Sequence, residues 1–339
     1  MELYLDSADV NEIKEAFDLG FLSGLTTTPT FMHRHGITDI DGTILELAKI
    51  VPVLQIEALG QTAEEIVAEA KRQDALGLDR EKTVYKIPIS LEGVKACRML
   101  RNDGFLVNIH LVYTLQQAYM AMEAGATYVC PLVGRLQDEG TDALSLVQQC
   151  VEAVNYYGYD TKIMFSSVRY AEHIRNAINI GVHTITVPWK VMKKLTDNHF
   201  TEIGTRQFFE HTRLMTVRVN ELISNKNPQV TGDETITDCL VKMTSGGFGA
   251  VTVVDENTKA IGIFTDGDLR RLIETHGADA VNKKVSELDL KEPLSIDGGE
   301  LLIKAQEIFT DKKVDELVVT ENGKVIGMMD VQDLVKVNS

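Results

Sequence analysis

Lys86 is placed in this sequence where an amine could act as a nucleophile. It lies near the end of residues 81–89, whose β-branched and aromatic residues predict a short buried strand ended by a proline. Burial disfavours the charged ammonium, and the free amine can then attack a carbonyl carbon. The alternative is a strand-end lysine whose amine reaches out to water. The residues around it in the fold must decide between these interpretations.

Other polar residues fall at or just beyond the ends of predicted strands. We predict strands at residues 3–6, 24–27, 53–57, 83–87, 106–110, 128–131, 162–166 and 184–187, separated by amphipathic helical stretches. Eight strand–helix units in about 200 residues predict a (β/α)₈ TIM barrel, an α/β fold whose site lies at the carboxyl ends of the strands. The residues expected to meet there are Asp6, Thr26, Glu57, Lys86, Asn108, His110, Arg135 and Ser167.

Composition and charge argue against several classes of function. The chain has 339 residues and a net charge of −16, which argues against a nucleic-acid partner because phosphate backbones require a basic face. Its cysteines, Cys97, Cys130, Cys150 and Cys239, fit no metal or disulfide spacing and indicate a reducing compartment. The sequence enters a strand at once and has no apolar run long enough for a bilayer. We therefore expect a cytoplasmic protein with no membrane partner and no bound metal.

The last third of the chain contains an internal repeat. A helical segment at residues 201–223 is followed by a break at residues 225–228, after which the pattern changes. Two copies of a helix–strand–turn–strand unit then predict a smaller α+β module of paired halves. We expect domains at 1–222 and 226–339, the second divided at 288/289. The pairs that share an offset of 65 residues are Pro228 and Pro293, Gly262 and Gly327, and Asp268 and Asp333.

The first part of the chain resembles the transaldolase family, most closely its short members that include fructose-6-phosphate aldolase. The resemblance spans the whole predicted barrel, and its motifs occur in the family's order. The segments that carry it are MELYLD at 1–6, GLTTTPT at 24–30, VYKIP at 84–88, GATYVCPLVGR at 125–135, SSVR at 166–169 and TITVP at 184–188.

The resemblance implies class I aldolase or transaldolase chemistry on a sugar phosphate, as in the pentose phosphate pathway. Lys86 matches the Schiff-base lysine, so no dissociable cofactor is needed. Asp6 matches the carboxylate that takes the C4 hydroxyl proton, and Glu57 matches the residue that positions a water for proton relay. Arg135 and Arg169, with Ser167, match the phosphate site, although either arginine alone could be a solvated loop charge. Thr26 and Asn108 match further substrate-binding positions.

The sequence also departs from the family pattern. Thr28 stands where the family has an asparagine that binds donor hydroxyls, and Cys130 replaces a serine, although thiols are weak hydrogen-bond donors. Leu132 replaces an aromatic residue. His110 occupies the position of a threonine that helps to hold the catalytic water, and it could be either a packed core residue or a proton relay beside Glu57. These departures concern the identity of the substrate rather than the class of reaction.

The last third of the chain resembles a tandem pair of cystathionine-β-synthase (CBS) domains. Residues 262–271, GIFTDGDLRR, are similar to the segment found in CBS pairs of sugar-phosphate isomerases. The resemblance implies that Thr265 contacts a phosphate and that Asp268 accepts ribose hydroxyls. In the second half Asp333 is retained, but Asp330 stands where Thr265 does, and a carboxylate repels phosphate. We expect one nucleotide effector per chain, either an adenine nucleotide or a nucleotide sugar.

Two functions fit these observations. The first is a Schiff-base aldolase or transaldolase, homo-oligomeric and controlled by a nucleotide on the CBS pair. The second is a sensor that has lost turnover, in which the barrel binds a sugar phosphate and the CBS pair reports the nucleotide. The altered positions Thr28, Cys130 and Leu132 favour the sensor. The retained residues Lys86, Asp6 and Glu57 favour the enzyme.

Overall fold

Two compact units make up the chain, Met1–Asp197 and Asn198–Ser339. The computed structural model describes residues 1–223 and 227–334. Within those ranges, no helix combines the length and the apolar character needed to cross a membrane. Each unit has its own hydrophobic core, so each is described by itself.

The first unit is a closed barrel of eight parallel strands, which confirms the predicted TIM barrel. Each strand pairs with its neighbour in sequence, and the eighth closes the ring on the first through pairs such as Tyr4 with Thr186. The strands are β1 (Glu2–Asp6), β2 (Gly24–Thr26), β3 (Leu54–Glu57), β4 (Thr83–Pro88), β5 (Leu106–Val112), β6 (Tyr128–Pro131), β7 (Lys162–Phe165) and β8 (Thr184–Val187).

Helices connect these strands and cover the outside of the barrel. Several begin at a side chain that caps the first turn; Thr62, for example, exchanges hydrogen bonds with Glu65 in a capping box. The helices are α1 (Val10–Phe17), α2 (Pro29–Arg34), α3 (Ile40–Ile50), α4 (Ala63–Asp74), α5 (Leu91–Asn102), α6 (Leu115–Glu123), α7 (Val133–Asp138), α8 (Ala143–Tyr157), α9 (Ala171–Ile180) and α10 (Trp189–Met192).

The two-residue period of the strands sorts the barrel's side chains into inside and outside sets. Outward residues such as Leu5, Tyr85 and Ile109 belong to the core between strands and helices. Inside, an apolar cluster that includes Tyr4, Val84 and Met164 fills the barrel. At the carboxyl end the inward residues are mostly polar, and each strand or the residue after it supplies one. They are Asp6, Thr26, Glu57, Lys86, His110, Cys130, Ser166 and Thr186.

The second unit contains two three-stranded sheets of the same topology, which confirms the repeat. In each sheet the short first strand is parallel to the central strand, and the third strand is antiparallel to it. The strands are β9 (Gln229–Val230), β10 (Ala250–Val254), β11 (Ala260–Thr265), β12 (Ser295–Asp297), β13 (Glu316–Glu321) and β14 (Lys324–Asp330). The helices are α11 (His199–Thr216), α12 (Ile236–Gly246), α13 (Asp266–His276) and α14 (Leu302–Lys312).

Helix α11 ends earlier than the sequence predicts and packs with the second unit. The predicted helix at 201–223 is wrong at its end, because Val217 is extended and the Val219 N–H donates to the Glu300 carbonyl. Leu214 joins the core that contains Leu302 and Phe309. The contacts therefore place α11 after the division at 197/198, whereas the domain limits 1–222 and 226–339 remain a prediction. The predicted break falls partly on residues 225–226, outside the described residues.

Gly24 permits close packing inside the barrel, and we expect Gly24→Ala to destabilise the first unit. An added Cβ would lie 2.4 Å from the Tyr4 ring and 2.6 Å from the Val53 carbonyl oxygen. Overpacking of this kind costs about 1–3 kcal/mol. Trp189, the single tryptophan, lies in this unit and reports its urea midpoint by fluorescence. Gly204→Ala is the control, because a Cβ there meets nothing within 4 Å. Equal midpoints for Gly24→Ala and the wild type would contradict the packing argument.

Candidate active site

Lys86, Glu57 and His110 form a row across three neighbouring strands at the mouth of the barrel. The strand register places Glu57 beside Lys86, and Lys86 beside Asn108, two residues before His110. Lys86 Nζ lies 2.9 Å from Glu57 Oε1 and donates to the Thr27 carbonyl oxygen at 3.0 Å. Glu57 Oε2 lies 2.9 Å from His110 Nε2. Lys86 is only 4% exposed, so it does not reach out to water as the alternative interpretation required.

The charges in this row set the pKa values of Glu57 and His110. Burial would raise the pKa of Glu57, but the charge of Lys86, joined by that of His110 when its ring is protonated, outweighs burial and holds that pKa below its usual range. Burial lowers the pKa of His110, and the nearby Glu57 carboxylate only partly offsets this. Glu57 is therefore ionised and His110 neutral at pH 7. Their close contact lacks hydrogen-bond geometry, so both atoms can still bond to a third group.

Asp6 faces the same mouth from the first strand and is held by two threonines. Thr26 Oγ1 donates to Asp6 Oδ1 at 2.8 Å and lies 2.5 Å from Thr186 Oγ1. Because the Thr26 proton points at Asp6, Thr186 acts as the donor to Thr26. Burial raises the pKa of Asp6, although Lys86 and Thr26 oppose the shift. Thr186 was missed from the sequence, although its inward position on β8 follows from strand alternation.

Two of the predicted substrate-binding residues, Asn108 and Thr28, are committed to contacts within the protein, and a third, Cys130, is a protonated thiol. Asn108 is fully buried and donates to Gln55 Oε1 at 2.7 Å, one layer below the mouth. The Thr28 hydroxyl accepts from the Phe31 N–H and caps α2. Burial raises the pKa of the Cys130 thiol to about 11, so the thiol stays protonated at neutral pH. Of these side chains, Cys130 lies in the layer that contains Lys86.

The predicted phosphate-binding residues lie on two loops that touch each other. Arg135, on α7, donates to the Tyr113 hydroxyl at 3.1 Å. Arg169, which follows β7, donates to Asp138 Oδ2 at 2.8 Å. The loops are in close contact, since a Cβ at Gly134 would overlap the Ser167 carbonyl oxygen at 1.9 Å. Both arginines are exposed, which leaves their guanidiniums accessible to a ligand in the mouth.

Ser166 is a second residue in this region that the sequence did not single out. Its side chain is buried and donates to the Pro131 carbonyl oxygen at 2.8 Å, tying β7 to β6. Ser167, which was predicted instead, has a left-handed backbone with φ 59°. Strand alternation on β7 turns Ser166 inward, two residues after Met164, so this position could have been found from the sequence.

In the first half of the second unit, Thr265 and Asp268 form the capping box of α13. Asp268 Oδ2 accepts from the Thr265 N–H at 3.1 Å and from its hydroxyl at 2.7 Å. Asp268 Oδ1 lies 2.5 Å from Arg271 and 3.6 Å from Lys291. Burial would raise the pKa of Asp268, but these contacts lower it. These three charged residues and Asp289 line a cavity of about 220 Å³. Its apolar walls include Ile263, Leu272, Leu288 and Leu290.

The second half repeats this arrangement with a carboxylate in place of the hydroxyl. Asp330 Oδ1 accepts from the Asp333 N–H at 3.0 Å, and Asp333 Oδ2 accepts from the Asp330 N–H at 2.9 Å. Glu316 lies nearby, and its pKa is raised by burial and by Asp315 and Asp330. The second half is therefore acidic where the first half carries Thr265.

Comparisons with known proteins match both units. The family model described as transaldolase/fructose-6-phosphate aldolase matches residues 3–232, and the CBS domain model matches residues 219–275 and 285–339. A protein named "Probable transaldolase" from Thermoanaerobacter sp. (strain X514) is 37% identical over 214 residues, covering 63% of this chain and 97% of the relative. One of the same name from Syntrophobacter fumaroxidans is 36% identical over 214 residues, covering 62% and 96%.

A solved structure was also found for the second unit. It is a CBS-domain containing protein from Agrobacterium tumefaciens, with 25% identity and a TM-score of 0.31, covering 35% of this chain and 91% of that one.

Asp6 carries a charge that burial opposes, so Asp6→Asn should stabilise the first unit at high pH. Because the pKa of Asp6 is raised on folding, the native state binds this proton more tightly, and stability falls as pH rises through that pKa. The thermal midpoint from Trp189 fluorescence should therefore rise in the variant at about pH 8 and converge with the wild type near about pH 4. The Asn carbonyl can still accept from Thr26. A variant that is less stable at both pH values would refute this.

Proposed function

Because the chain belongs to the transaldolase/fructose-6-phosphate aldolase family and ends in a CBS domain pair, we propose that it is a Schiff-base aldolase or transaldolase under nucleotide control. The observation that carries the proposal is the buried Lys86 amine, 2.9 Å from Glu57 and in the same barrel mouth as Asp6. An amine flanked by a proton acceptor and facing a second carboxylate is suited to carbonyl chemistry.

The first half-reaction forms the covalent intermediate. Glu57 is within reach of Lys86 Nζ to take up its proton, and the free amine attacks the ketose carbonyl carbon to give a carbinolamine. The hydroxyl then leaves as water when a proton is delivered to it, which produces the iminium. His110 is neutral, and its Nε2 lies 2.9 Å from Glu57 Oε2, so a group that bonds to both atoms can carry this proton between them. Of the two roles considered for His110, we therefore propose the proton relay rather than packing in the core.

The second half-reaction breaks the C3–C4 bond. Asp6 takes the proton of the C4 hydroxyl, the aldehyde product leaves, and the electron pair of the broken bond passes into the iminium as an enamine. In an aldolase the enamine is protonated and hydrolysed; in a transaldolase it attacks an acceptor aldehyde. The hydrogen bond from Thr26, itself supported by Thr186, fixes the Asp6 carboxylate for this step.

The substrate we propose is a ketose phosphate. Arg135, Arg169 and Ser167 lie on adjoining loops at the mouth, where two guanidiniums can hold one phosphate. The shell for the donor's hydroxyls is altered, since Thr28 caps a helix and the Cys130 thiol is a weak donor. We therefore expect this site to bind the dihydroxyacetone portion of a ketose less firmly than other members of the family do. The preferred donor ketose should differ from theirs.

The same altered shell favours a second candidate, a sugar-phosphate sensor without turnover. Thr28 and Cys130 would weaken orientation of the donor without preventing binding. The row of Lys86, Glu57 and His110 argues for the enzyme, because burying a charged lysine costs stability and binding alone does not require it. Turnover and covalent trapping separate the two candidates.

We propose that the regulatory nucleotide binds the first half of the CBS pair. The cavity there offers apolar walls for a base, Asp268 for ribose hydroxyls, and Arg271 and Lys291 for phosphate. An adenine nucleotide or a nucleotide sugar fits this chemistry. The second half places Asp330 where a phosphate would lie, and its carboxylate repels that group.

Lys86 should form the adduct that borohydride traps. Incubation with fructose 6-phosphate, or another ketose phosphate that the enzyme turns over, should give a stable mass gain that Lys86→Met abolishes together with turnover. Lys162→Met is the matched control, because Lys162 also pairs with a glutamate, Glu2. Mass spectrometry of the intact protein and of its peptides reads both variants. An adduct that persists in Lys86→Met would assign the nucleophile elsewhere, whereas an adduct without turnover would support the sensor.

The full-length chain should bind one nucleotide, at the first CBS half. Calorimetry with AMP, ATP and a UDP-sugar as probes should give a stoichiometry near one. Asp268→Ala should remove the binding, and Asp333→Ala should keep it. Asp238→Ala is the control, because it removes the capping box of α12, which is of the same kind but does not line the cavity. Two equal sites, or binding that survives Asp268→Ala, would overturn the assignment.

A further inference from the structure

His173 is a buried histidine that the proposed reaction does not use. It lies on α9, is 1% exposed, and packs between the rings of Tyr170 and Phe165, whose centroids are 4.1 and 5.8 Å away. A buried imidazole can simply fill space, so its role depends on what its two nitrogens contact.

Both ring nitrogens are engaged, and they contact different loops. The Arg169 backbone N–H donates to Nδ1 at 3.2 Å, while Nε2 lies 2.6 Å from Gln137 Oε1. Because Nδ1 accepts, the proton is on Nε2, which donates to Gln137. Burial and the charge of Arg169 lower the pKa of His173, which favours this neutral form. The ring is thus a bridge between the loop after β7 and helix α7.

This bridge joins the two segments that carry the exposed arginines. Gln137 lies two residues after Arg135 on α7, and the other end of the bridge is the backbone of Arg169 itself. The guanidiniums have different partners: Arg135 donates to the Tyr113 hydroxyl, whereas Arg169 pairs with Asp138, which lies on α7 itself. The Arg169–Asp138 ion pair is exposed at the surface, where such pairs hold geometry weakly.

We propose that His173 is a positioning residue that holds Arg169 at a set place relative to Arg135, so that both guanidiniums can meet one phosphate group. The inference rests on the proposed function in one respect, that these arginines bind the substrate phosphate. It adds that one imidazole helps to set their spacing, beside the backbone bond from the Val133 N–H to the Ser166 carbonyl oxygen at 3.1 Å. Phosphate recognition then depends on a residue that does not touch the ligand.

The test is a set of variants in the full-length protein, compared on fructose 6-phosphate and on fructose by the rate of borohydride trapping. His173→Ala should raise the half-saturating concentration of fructose 6-phosphate about 10- to 100-fold, as displaced binding groups do, with little change in the limiting rate. The value for fructose should change less than about twofold, and inhibition by inorganic phosphate should weaken in parallel. His173→Gln should restore much of the affinity, because its amide can both accept from Arg169 and donate to Gln137.

His183→Ala and Arg169→Ala make the outcomes distinguishable. His183 also accepts a backbone N–H at Nδ1, from Ile163 at 3.1 Å, but at the opposite end of the barrel, so its loss should leave both ketoses unaffected. If Arg169→Ala weakens fructose 6-phosphate and His173→Ala does not, the positioning role is wrong while the phosphate site stands. If Arg169→Ala has no effect on fructose 6-phosphate or on inhibition by inorganic phosphate, both the phosphate site and the positioning role fall. Equal losses on both ketoses in His173→Ala would show a structural role only.

Discussion

The pairing of buried charges at the barrel mouth is the constraint on which the first unit depends. The side chains of Lys86 and Glu57 are 6% and 5% exposed and face each other at 2.9 Å. Removing two charges from water is costly, and only close geometry with further hydrogen bonds offsets the cost. The Thr27 carbonyl accepts a hydrogen bond from Lys86, and His110 Nε2 lies 2.9 Å from the second oxygen of Glu57. These residues lie at or just after four neighbouring strands, β2 to β5, and the register of the closed barrel holds them at these distances.

The same mouth separates its two carboxylates by environment. Glu57 shares its surroundings with two nitrogen bases, and its pKa is lowered although burial opposes this. Asp6 has burial as its largest influence, with a threonine and the more distant Lys86 against it, and its pKa is raised. Carboxyl groups whose pKa values are shifted apart can serve different proton-transfer steps. The raised pKa makes Asp6 the stronger base of the two, which suits the role proposed for it at the C4 hydroxyl.

Strand periodicity made most of the barrel and much of its mouth predictable. The repeated strand–helix pattern located all eight strands, and the position of Lys86 and Glu57 at strand ends placed them at the mouth. Other features were not predicted, for local reasons. Ser166 was not singled out beside Ser167, and its side chain is buried and donates to the Pro131 carbonyl oxygen. The end of α11 is set by pairing with residues far along the chain, which periodicity does not contain. The hydrogen-bond partners of Arg135 and Arg169 were not predicted either, because both lie far from these arginines in the sequence.

The repeat in the second unit shows how a fold can be kept while its chemistry changes. A capping box needs an acceptor at the first position, and both Thr265 and Asp330 provide one for a backbone N–H three residues later. Thr265 can also donate, and it gives its proton to Asp268; a carboxylate at position 330 cannot donate to Asp333. The substitution therefore preserves the backbone of the half while placing a second negative charge at the start of its last turn. The two halves keep similar sequences at this position because both need a capping residue. Their ligand-binding properties can still differ.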